Sequence, residues 1–259
     1  MSTPGAGAPA LSLRGLAKRF GATIAVAGLD LDIPAGSFYG VVGPNGAGKT
    51  TTLSMATGLL VPDAGSAHVH GIDVWAEAER AAPLLGILPD GLRLFDRLTG
   101  PELISYVGLL RGMDRHVIAT RRDDLTDALD LDQAGATLVT DYSAGMTKKV
   151  ALACALVHAP KVLVLDEPFE AVDPVSATGI RRILQQFVAA GGTVVMSSHV
   201  MALVEQLCDH VAVVGAGRVI AAGTLDEVRA GQDLEGRFVG LLGGQRDRPE
   251  LSWLRPSSD

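Results

Sequence analysis

Glycines, one lysine and two threonines are spaced along one short segment in a pattern that can hold a phosphate group. The segment reads Gly43-Pro44-Asn45-Gly46-Ala47-Gly48-Lys49-Thr50-Thr51 and follows the apolar run Tyr39-Gly40-Val41-Val42. The spacing G-x-x-x-x-G-K-[ST] lets a strand turn sharply into a helix, and the glycines leave room for backbone N–H groups around a phosphate. Lys49 would reach the β and γ phosphates, Thr50 would offer its hydroxyl to Mg²⁺, and the helix would point its positive end at the anion. The segment therefore predicts a site for ATP or GTP in preference to a glycine-rich turn that only caps a helix.

Two adjacent carboxylates follow a second apolar run, Val162-Leu163-Val164-Leu165. We expect Asp166 and Glu167 at the carboxyl edge of a buried strand, which is where doubly wound sheets bind their ligands. Asp166 would hold Mg²⁺ through its water shell, and Glu167, on the opposite side of the strand, would polarise an attacking water. An apolar strand that ends in acidic residues is also a common helix-cap junction. Because the chain also contains Lys49 in a phosphate-binding pattern, we favour the roles of metal ligand for Asp166 and base for Glu167 over a helix-cap junction.

Composition and charge limit the classes of partner. With 259 residues, a formal net charge of −7 and a pI near 5.3, the chain can bury a large α/β core but lacks a basic footprint for nucleic acid. Its two cysteines, Cys154 and Cys208, lie in apolar segments without metal-ligand spacing, so we expect buried thiols in a reducing cytoplasm. The first ten residues do not resemble a secretion signal, and no apolar run reaches about eighteen residues. We expect a cytoplasmic chain without a membrane span of its own.

Apolar periodicity arranges the elements around these motifs. Residues 11–33 alternate around breaks at Gly15, Gly21 and Gly28 and predict short antiparallel strands, and a helix from Thr50 to Leu60 should follow the glycine-rich loop. Helical spacing with dense charges between about 98 and 138 predicts a helical insertion whose charges form a solvated face. Further on, helices are predicted at 144–157, 175–190 and 200–208, and strands at 162–165, 193–197, 211–214 and 218–222. Helices between β-branched runs imply a parallel core sheet.

A third motif lies between the other two. It reads Tyr142-Ser143-Ala144-Gly145-Met146 and is followed by Lys148-Lys149-Val150-Ala151-Leu152. With it, residues 11–225 resemble the nucleotide-binding subunit of an ATP-binding cassette (ABC) transporter, whose signature this motif matches. The GTPase motif N-K-x-D does not occur in the sequence, which disfavours a GTPase.

The resemblance implies an α/β fold of the P-loop NTPase class. It has a mostly parallel core sheet, an N-terminal antiparallel β subdomain and an inserted helical subdomain. We expect a flexible tail at 1–10, the ATPase domain at 11–242 with the helical subdomain at about 91–142, and a mobile tail at 243–259.

The resemblance also implies roles for residues outside the first two motifs. Ser143 and the Gly145 N–H would contact the γ-phosphate of an ATP molecule bound by a second subunit, so that two subunits enclose two ATP molecules head to tail. For Ser143, the simpler alternative is an ordinary helix N-cap. His199 resembles the switch histidine that contacts the γ-phosphate, and Ala171-Val172-Asp173-Pro174 resembles the loop that crosses the dimer interface. Phe20 resembles the aromatic residue that stacks on adenine, and the alternative is a core phenylalanine.

Asp90 departs from the usual family pattern. It follows Gly86-Ile87-Leu88-Pro89, where the family usually has a glutamine that reaches Mg²⁺ and the attacking water and contacts the membrane partner. Aspartate can ligate Mg²⁺, but it is shorter and brings negative charge near the γ-phosphate, so metal affinity or hydrolysis rate should differ. Ala144, Met146 and Ala171 also replace the commonest family residues, whereas Ser143 and Gly145 are kept.

These arguments give one set of predicted site residues. The predicted catalytic residues are Glu167, His199 and Lys49. The predicted metal ligands are Thr50, Asp166 and Asp90. The predicted nucleotide contacts are Phe20, Gly43, Pro44, Asn45, Gly46, Ala47, Gly48, Lys49, Thr50, Thr51, Ser143 and Gly145.

The signature, together with Asp166-Glu167-Pro168-Phe169-Glu170, is most similar to the exporter branch of the family, which serves drugs, antibiotics, lipids or polysaccharides. The implied ligands are ATP and Mg²⁺. The implied partners are a separate membrane permease, which would hold the chain at the cytoplasmic face of the membrane, and a second ATPase subunit, identical or not. One alternative is a slowly hydrolysing, ATP-sensing regulator. Another is a soluble ABC protein of translation or DNA maintenance, although such proteins usually carry two cassettes or a long coiled-coil insertion.

Overall fold

A computed structural model describes residues 8–91, 93–132 and 136–243 of the protein. Its strands are β1 (Leu11–Phe20), β2 (Thr23–Ile33), β3 (Phe38–Val42), β4 (Ala64–Val69), β5 (Ile72–Asp73), β6 (Leu85–Leu88), β7 (Val162–Leu165), β8 (Thr193–Ser198), β9 (His210–Gly215) and β10 (Arg218–Thr224). Its α-helices are α1 (Lys49–Ala56), α2 (Ala78–Ala81), α3 (Gly100–Leu110), α4 (Arg115–Ala128), α5 (Ala144–Leu156), α6 (Pro174–Ala189), α7 (Met201–Leu207), α8 (Leu225–Arg229) and α9 (Leu234–Leu241). The predicted α/β class is confirmed.

The N-terminal sheet is antiparallel, with the strand order β2-β1-β4-β5. The prediction of short strands was wrong, because β1 and β2 form one long hairpin that breaks only at the turn containing Gly21. Gly15 and Gly28 instead lie at register shifts between the two strands, with φ angles of +56° and +79°. Bulges of this kind increase the local twist without ending a strand, and glycine adopts a positive φ at low cost.

The core sheet has the strand order β10-β9-β3-β8-β7-β6. All neighbouring pairs from β9 to β6 are parallel, and only β10 runs antiparallel, as the partner of β9. Every residue of β3, β7 and β8 is buried, as expected for parallel strands covered on both faces. Because these strands are parallel and adjacent, the segments that follow β3 and β7 and the end of β8 meet at one edge of the sheet.

The alternation of side chains along the core strands feeds two separate hydrophobic clusters. Leu163 and Leu165 of β7 belong to the cluster formed with α5, α6 and α7. Val162 and Val164 belong to the other cluster, which contains the inward residues of β1 and β2 and of α1. Since successive side chains of a strand point to opposite faces, one short apolar strand contributes to both cores and is held firmly between them. The residues that follow it are therefore carried by a rigid element.

The charged segment between α2 and α5 contains α3 and α4. Thr99 caps α3 in a capping box with Glu102, and Asp114 caps α4 by accepting from the N–H groups of His116 and Val117. Most of the charged side chains are exposed, as predicted, but two arginines also anchor the segment. Arg111 donates to the Ala82 carbonyl at 2.8 Å and Arg121 to the Val157 carbonyl at 2.9 Å. The division into an ATPase domain with a helical subdomain at about 91–142 stays a prediction.

The end of one helix and the C-terminal helices differ from the predictions. Helix α1 ends at Ala56, so the predicted extension to Leu60 was wrong. Helices α8 and α9 were not predicted, although Thr224 and Glu227 form a capping box and the Asp233 side chain caps α9. Residues 1–7 and 244–259, which carry nearly all of the two predicted tails, lie outside the described residues.

Both cysteines are free thiols, Cys208 buried and Cys154 largely so. Burial raises the pKa of the Cys154 thiol to about 12 and also raises that of Cys208, so both are protonated at neutral pH. Among the helices that the structure describes, none has the length and apolar character needed to cross a lipid bilayer.

Candidate nucleotide site

The glycine-rich loop connects β3 to α1 at the carboxyl edge of the core sheet. Two of its glycines are required by close packing against neighbouring backbone. A Cβ at Gly43 would collide with the carbonyl oxygen of Val214, and one at Gly48 with that of Ala25. Gly48 also has a φ of +101°, which side chains rarely permit. The loop is thus clamped between β9 and β2, so that its backbone N–H groups are held in place before any ligand arrives.

Lys49 is the first residue of α1 and lies beneath this loop. It is only 7% exposed, and its Nζ donates to the carbonyls of Gly43 at 2.8 Å and Pro44 at 3.4 Å. The next residue, Thr50, is exposed, and the first turn of α1 contains no acidic side chain. A charged lysine and the open N–H end of a helix therefore face the same loop, which is the arrangement that favours a bound anion.

Asp166 and Glu167 follow β7 at the same edge of the sheet. Asp166 is buried, and its carboxylate accepts a hydrogen bond from the Ser197 hydroxyl. The same hydroxyl accepts the backbone N–H of Glu167 at 2.9 Å. Ser197 thus bridges the two acidic residues across β7 and β8. This bridge has no signal in the sequence, where Ser197 is only a neighbour of His199, because its partners are far apart in the chain.

Glu167 has a left-handed backbone conformation with a φ of +45°. This conformation costs on the order of 1–3 kcal/mol in a non-glycine residue and persists only where surrounding contacts hold it. Glu167 therefore departs from the simple alternation along β7 that the sequence predicts. Its side chain is 14% exposed, and its Oε2 lies 3.1 Å from Nδ1 of His199, whose own side chain is 49% exposed. Two of the three predicted catalytic residues, Glu167 and His199, are therefore in direct contact.

Phe20 is half exposed at the end of β1, with 51% of its surface accessible. The Lys18 ammonium lies 5.8 Å from the centre of its ring. This exposure rules out the alternative of a core phenylalanine and leaves part of the ring accessible for stacking on a base.

A single cleft of about 560 Å³ gathers most of the predicted site. Its volume falls in the usual range for small-molecule sites. Glu170, Thr23 and Ala25 also line it and were not predicted. The predicted residues that line it are Phe20, Asn45, Gly46, Ala47, Gly48, Lys49, Thr50, Thr51, Asp90, Glu167 and His199. Gly43, Pro44 and Asp166 directly follow the same strands, β3 and β7, but are not part of the lining.

Asp90 lines the cleft just beyond β6. Its Oδ1 accepts the backbone N–H of Gly91 at 2.8 Å, which turns the chain after the strand. Asp90, Asp166 and Thr50 offer only oxygen donors, the type that Mg²⁺ prefers. Their chemistry therefore fits the predicted magnesium ion.

Ser143 and Gly145 are not brought into this cleft. Ser143 is exposed and caps α5, accepting the Met146 N–H at 3.2 Å. Gly145 is buried against the start of α6, so closely that a Cβ there would lie 2.7 Å from both Asp173 Oδ2 and Ser176 Oγ. The N-terminus of α5 and the loop before α6 thus form a second surface, separate from the cleft.

Comparison with known proteins gives consistent matches. Residues 26–170 match the family model described as "ABC transporter". The chain is 38% identical over 221 residues to the daunorubicin/doxorubicin resistance ATP-binding protein DrrA of Streptomyces peucetius, covering 85% of this chain and 67% of that protein. It is 36% identical over 222 residues to the ABC transporter ATP-binding protein NatA of Bacillus subtilis (strain 168), covering 84% of this chain and 90% of that protein.

A solved structure described as "Structure of ATP binding subunit of ABC transporter" has a similar fold. It superposes with a TM-score of 0.83 at 26% sequence identity, over 89% of this chain and 98% of that one.

Proposed function

This chain belongs to the ABC transporter family, in which it is an ATP-hydrolysing subunit of the exporter type, and we propose that it works as an ATP-driven dimer on a separate membrane permease. The observation that carries the proposal is the single cleft in which Lys49, Asp90, Glu167 and His199 meet. A phosphate-binding loop, a carboxylate base and a histidine in mutual reach are the parts that hydrolysis of a nucleoside triphosphate requires. We place the protein at the cytoplasmic face of the membrane, held there by the permease.

The first step that we propose is the binding of ATP. The N–H groups of the loop before α1 surround the β-phosphate, and the Lys49 ammonium exchanges its loop carbonyls for phosphate oxygens. Phe20 offers its exposed ring to the adenine. Thr50, Asp166 and Asp90 would hold Mg²⁺, which would neutralise charge on the triphosphate.

Hydrolysis needs a base beside the γ-phosphate, and we assign that role to Glu167. Its carboxylate accepts a proton from the attacking water as the water oxygen bonds to the γ-phosphorus and the bond to the β–γ bridging oxygen breaks, which leaves ADP and phosphate. His199, 3.1 Å from Oε2, orients the carboxylate and would contact the γ-phosphate. The left-handed backbone of Glu167 and its hydrogen bond to the Ser197 hydroxyl keep the side chain in this orientation. Since the backbone is already strained into place, little reorganisation is needed when the nucleotide binds.

The surface around Ser143 would complete the site of a second subunit. Because Ser143 and Gly145 lie outside the cleft of their own chain, they can contact a phosphate only in another copy or a related subunit. ATP bound between two subunits holds them together, and loss of the γ-phosphate releases them.

ATP turnover with the permease tests the proposal. Phosphate release from the purified protein should depend on Mg²⁺ and ATP and should rise when the permease is present in lipid vesicles. A slowly hydrolysing sensor would bind ATP without this stimulation, and such a result would contradict the transport role. Vesicles that lack the permease are the matched control.

Asp90→Asn tests whether Asp90, which stands where the family usually has a glutamine, binds Mg²⁺. The amide oxygen can still accept the Gly91 N–H, so the turn after β6 is kept while the charge is removed. The Mg²⁺ concentration for half-maximal hydrolysis should rise about threefold to tenfold, on the order of 1 kcal/mol. The measurement is a Mg²⁺ titration of phosphate release at fixed ATP. Asp226→Asn, on the exposed side of α8, is the control, and identical titrations for the two variants would remove Asp90 from the metal site.

A further inference from the structure

Lys148 connects the helix α5 to the backbone of the proposed base. It is half-buried, and its Nζ donates to the carbonyl oxygen of Glu167 at 3.1 Å. This oxygen follows directly on the left-handed turn that aims the Glu167 side chain into the cleft. The peptide groups on both sides of Glu167 are therefore fixed, one by the Ser197 hydroxyl and the other by Lys148.

Satisfaction of a buried carbonyl does not by itself explain this lysine. The same oxygen of Glu167 also accepts the N–H of Glu170 at 3.2 Å, so it keeps a partner if Lys148 is removed. An ammonium adds a charge-assisted bond, which is roughly twice as strong as a bond between neutral groups. We expect it to affect the orientation of Glu167 more than the stability of the fold.

The position of Lys148 on α5 adds a second consequence. Ser143 caps this helix, and Gly145 packs against Asp173 and Ser176 at the start of α6. Ser143 and Lys148 are separated by about 7.5 Å along one rigid helix. A displacement of the first turn therefore also moves the Nζ that holds Glu167.

We propose that Lys148 is a positioning residue that aims the Glu167 carboxylate and couples it to the helix turn at Ser143. When Ser143 contacts the nucleotide bound by the second subunit, α5 and Lys148 then adjust the position of Glu167, the base in the cleft of the same chain as Ser143. The proposal rests on the proposed ATPase function, and it explains how two composite sites report on each other through α5.

Lys148→Met tests the positioning role, since methionine fills a similar volume without a donor. The kcat of ATP hydrolysis should fall about 10-fold to 100-fold, as expected when a base is misaimed. The KM for ATP and the thermal unfolding midpoint should stay unchanged, because the phosphate loop is untouched. Lys148→Arg, which keeps a charged donor, should restore most of the kcat. Lys161→Met, at an exposed position before β7, is the matched control and should keep the wild-type kcat.

Three outcomes would overturn the positioning role. These are an unchanged kcat in Lys148→Met, a loss of kcat matched by an equal loss of ATP binding, and an arginine variant no better than the methionine variant. Wild-type protein without any ATPase activity would refute the proposed function itself. An active wild type with an unaffected Lys148→Met would refute only the role of Lys148.

A double-mutant cycle tests the coupling along α5. If Ser143 acts on Glu167 through Lys148, the loss of kcat at saturating ATP in Ser143→Ala/Lys148→Met should be smaller than the product of the two single losses. A combined loss equal to that product would show that the two residues act independently, and it would overturn the coupling.

Discussion

Glu167→Gln is expected to lower the kcat of ATP hydrolysis by about 10²-fold to 10⁴-fold, the usual contribution of a general base. Glutamine has the same shape but cannot take a proton from water. Its amide can still lie beside His199, and the backbone bonds to Ser197 and Lys148 do not involve the side chain. The variant should therefore fold normally and bind ATP, yet leave the bound nucleotide intact.

The same substitution should trap an ATP-bound dimer. If the γ-phosphate is the link between two subunits, a variant that cannot cleave it keeps that link for as long as ATP remains bound. Size-exclusion chromatography in ATP and Mg²⁺ should show a stable dimer for Glu167→Gln and a transient one for the wild type. The matched control is Glu235→Gln on α9, which makes the same chemical change at an exposed position. Unchanged steady-state phosphate release in Glu167→Gln would show that another group is the base.

The order of strands and helices that flank the site was largely predictable, because the signals are local. Buried parallel strands appear in the sequence as short β-branched runs, and Val162–Leu165 and Thr193–Ser198 lie within a residue of their predicted bounds. A phosphate loop after one such strand and two acids after another then fall at the same sheet edge, since parallel strands end together. This is why most of the predicted residues line one cleft.

What could not be predicted depends on contacts between distant segments. The loop glycines leave room for a phosphate, as predicted from their spacing, but Gly43 and Gly48 are also required because a Cβ there would collide with the carbonyl oxygens of Val214 and Ala25. Neither carbonyl is visible in the spacing of the motif. The bridge that Ser197 makes between Asp166 and Glu167 has the same origin, because it joins two strands that pair only in the folded sheet.

Two further differences concern the backbone of Glu167 and the short helices α8 and α9. Glu167 has a φ of +45°, but a left-handed turn is signalled in a sequence by glycine or asparagine and not by glutamate. The sequence therefore predicts simple alternation along β7. Helices α8 and α9 are short, but both follow recognisable capping residues: Thr224 and Glu227 fit the S/T-x-x-E pattern before α8, and Asp233 is a favoured N-cap residue before α9. The first miss has a tertiary cause, whereas the second was avoidable.

Lys49→Met is expected to remove most ATP binding, and with it hydrolysis. The Nζ of Lys49 is buried under the loop and already bonded to its carbonyls, so it reaches the phosphates with little loss of side-chain freedom. Loss of a buried charge that pairs with phosphate costs about 2–5 kcal/mol, or roughly 30-fold to 5,000-fold in affinity. Methionine has nearly the same length and fills the space beneath the loop, so the effect should be on binding more than on folding.

Thermal unfolding in the presence of nucleotide separates these two effects. A ligand that binds only the folded state stabilises it by RT ln(1 + [L]/Kd), so ATP should raise the unfolding midpoint of the wild type and of Lys161→Met. Lys49→Met should unfold near the wild-type midpoint without ATP and should gain little when ATP is added. If ATP still shifted its midpoint as far as it does in the wild type, the phosphates would not depend on Lys49. Phosphate binding would then depend on the N–H groups of the loop and of α1 alone. The close packing at Gly43 and Gly48, which holds these N–H groups in place, would be the main cause of the affinity.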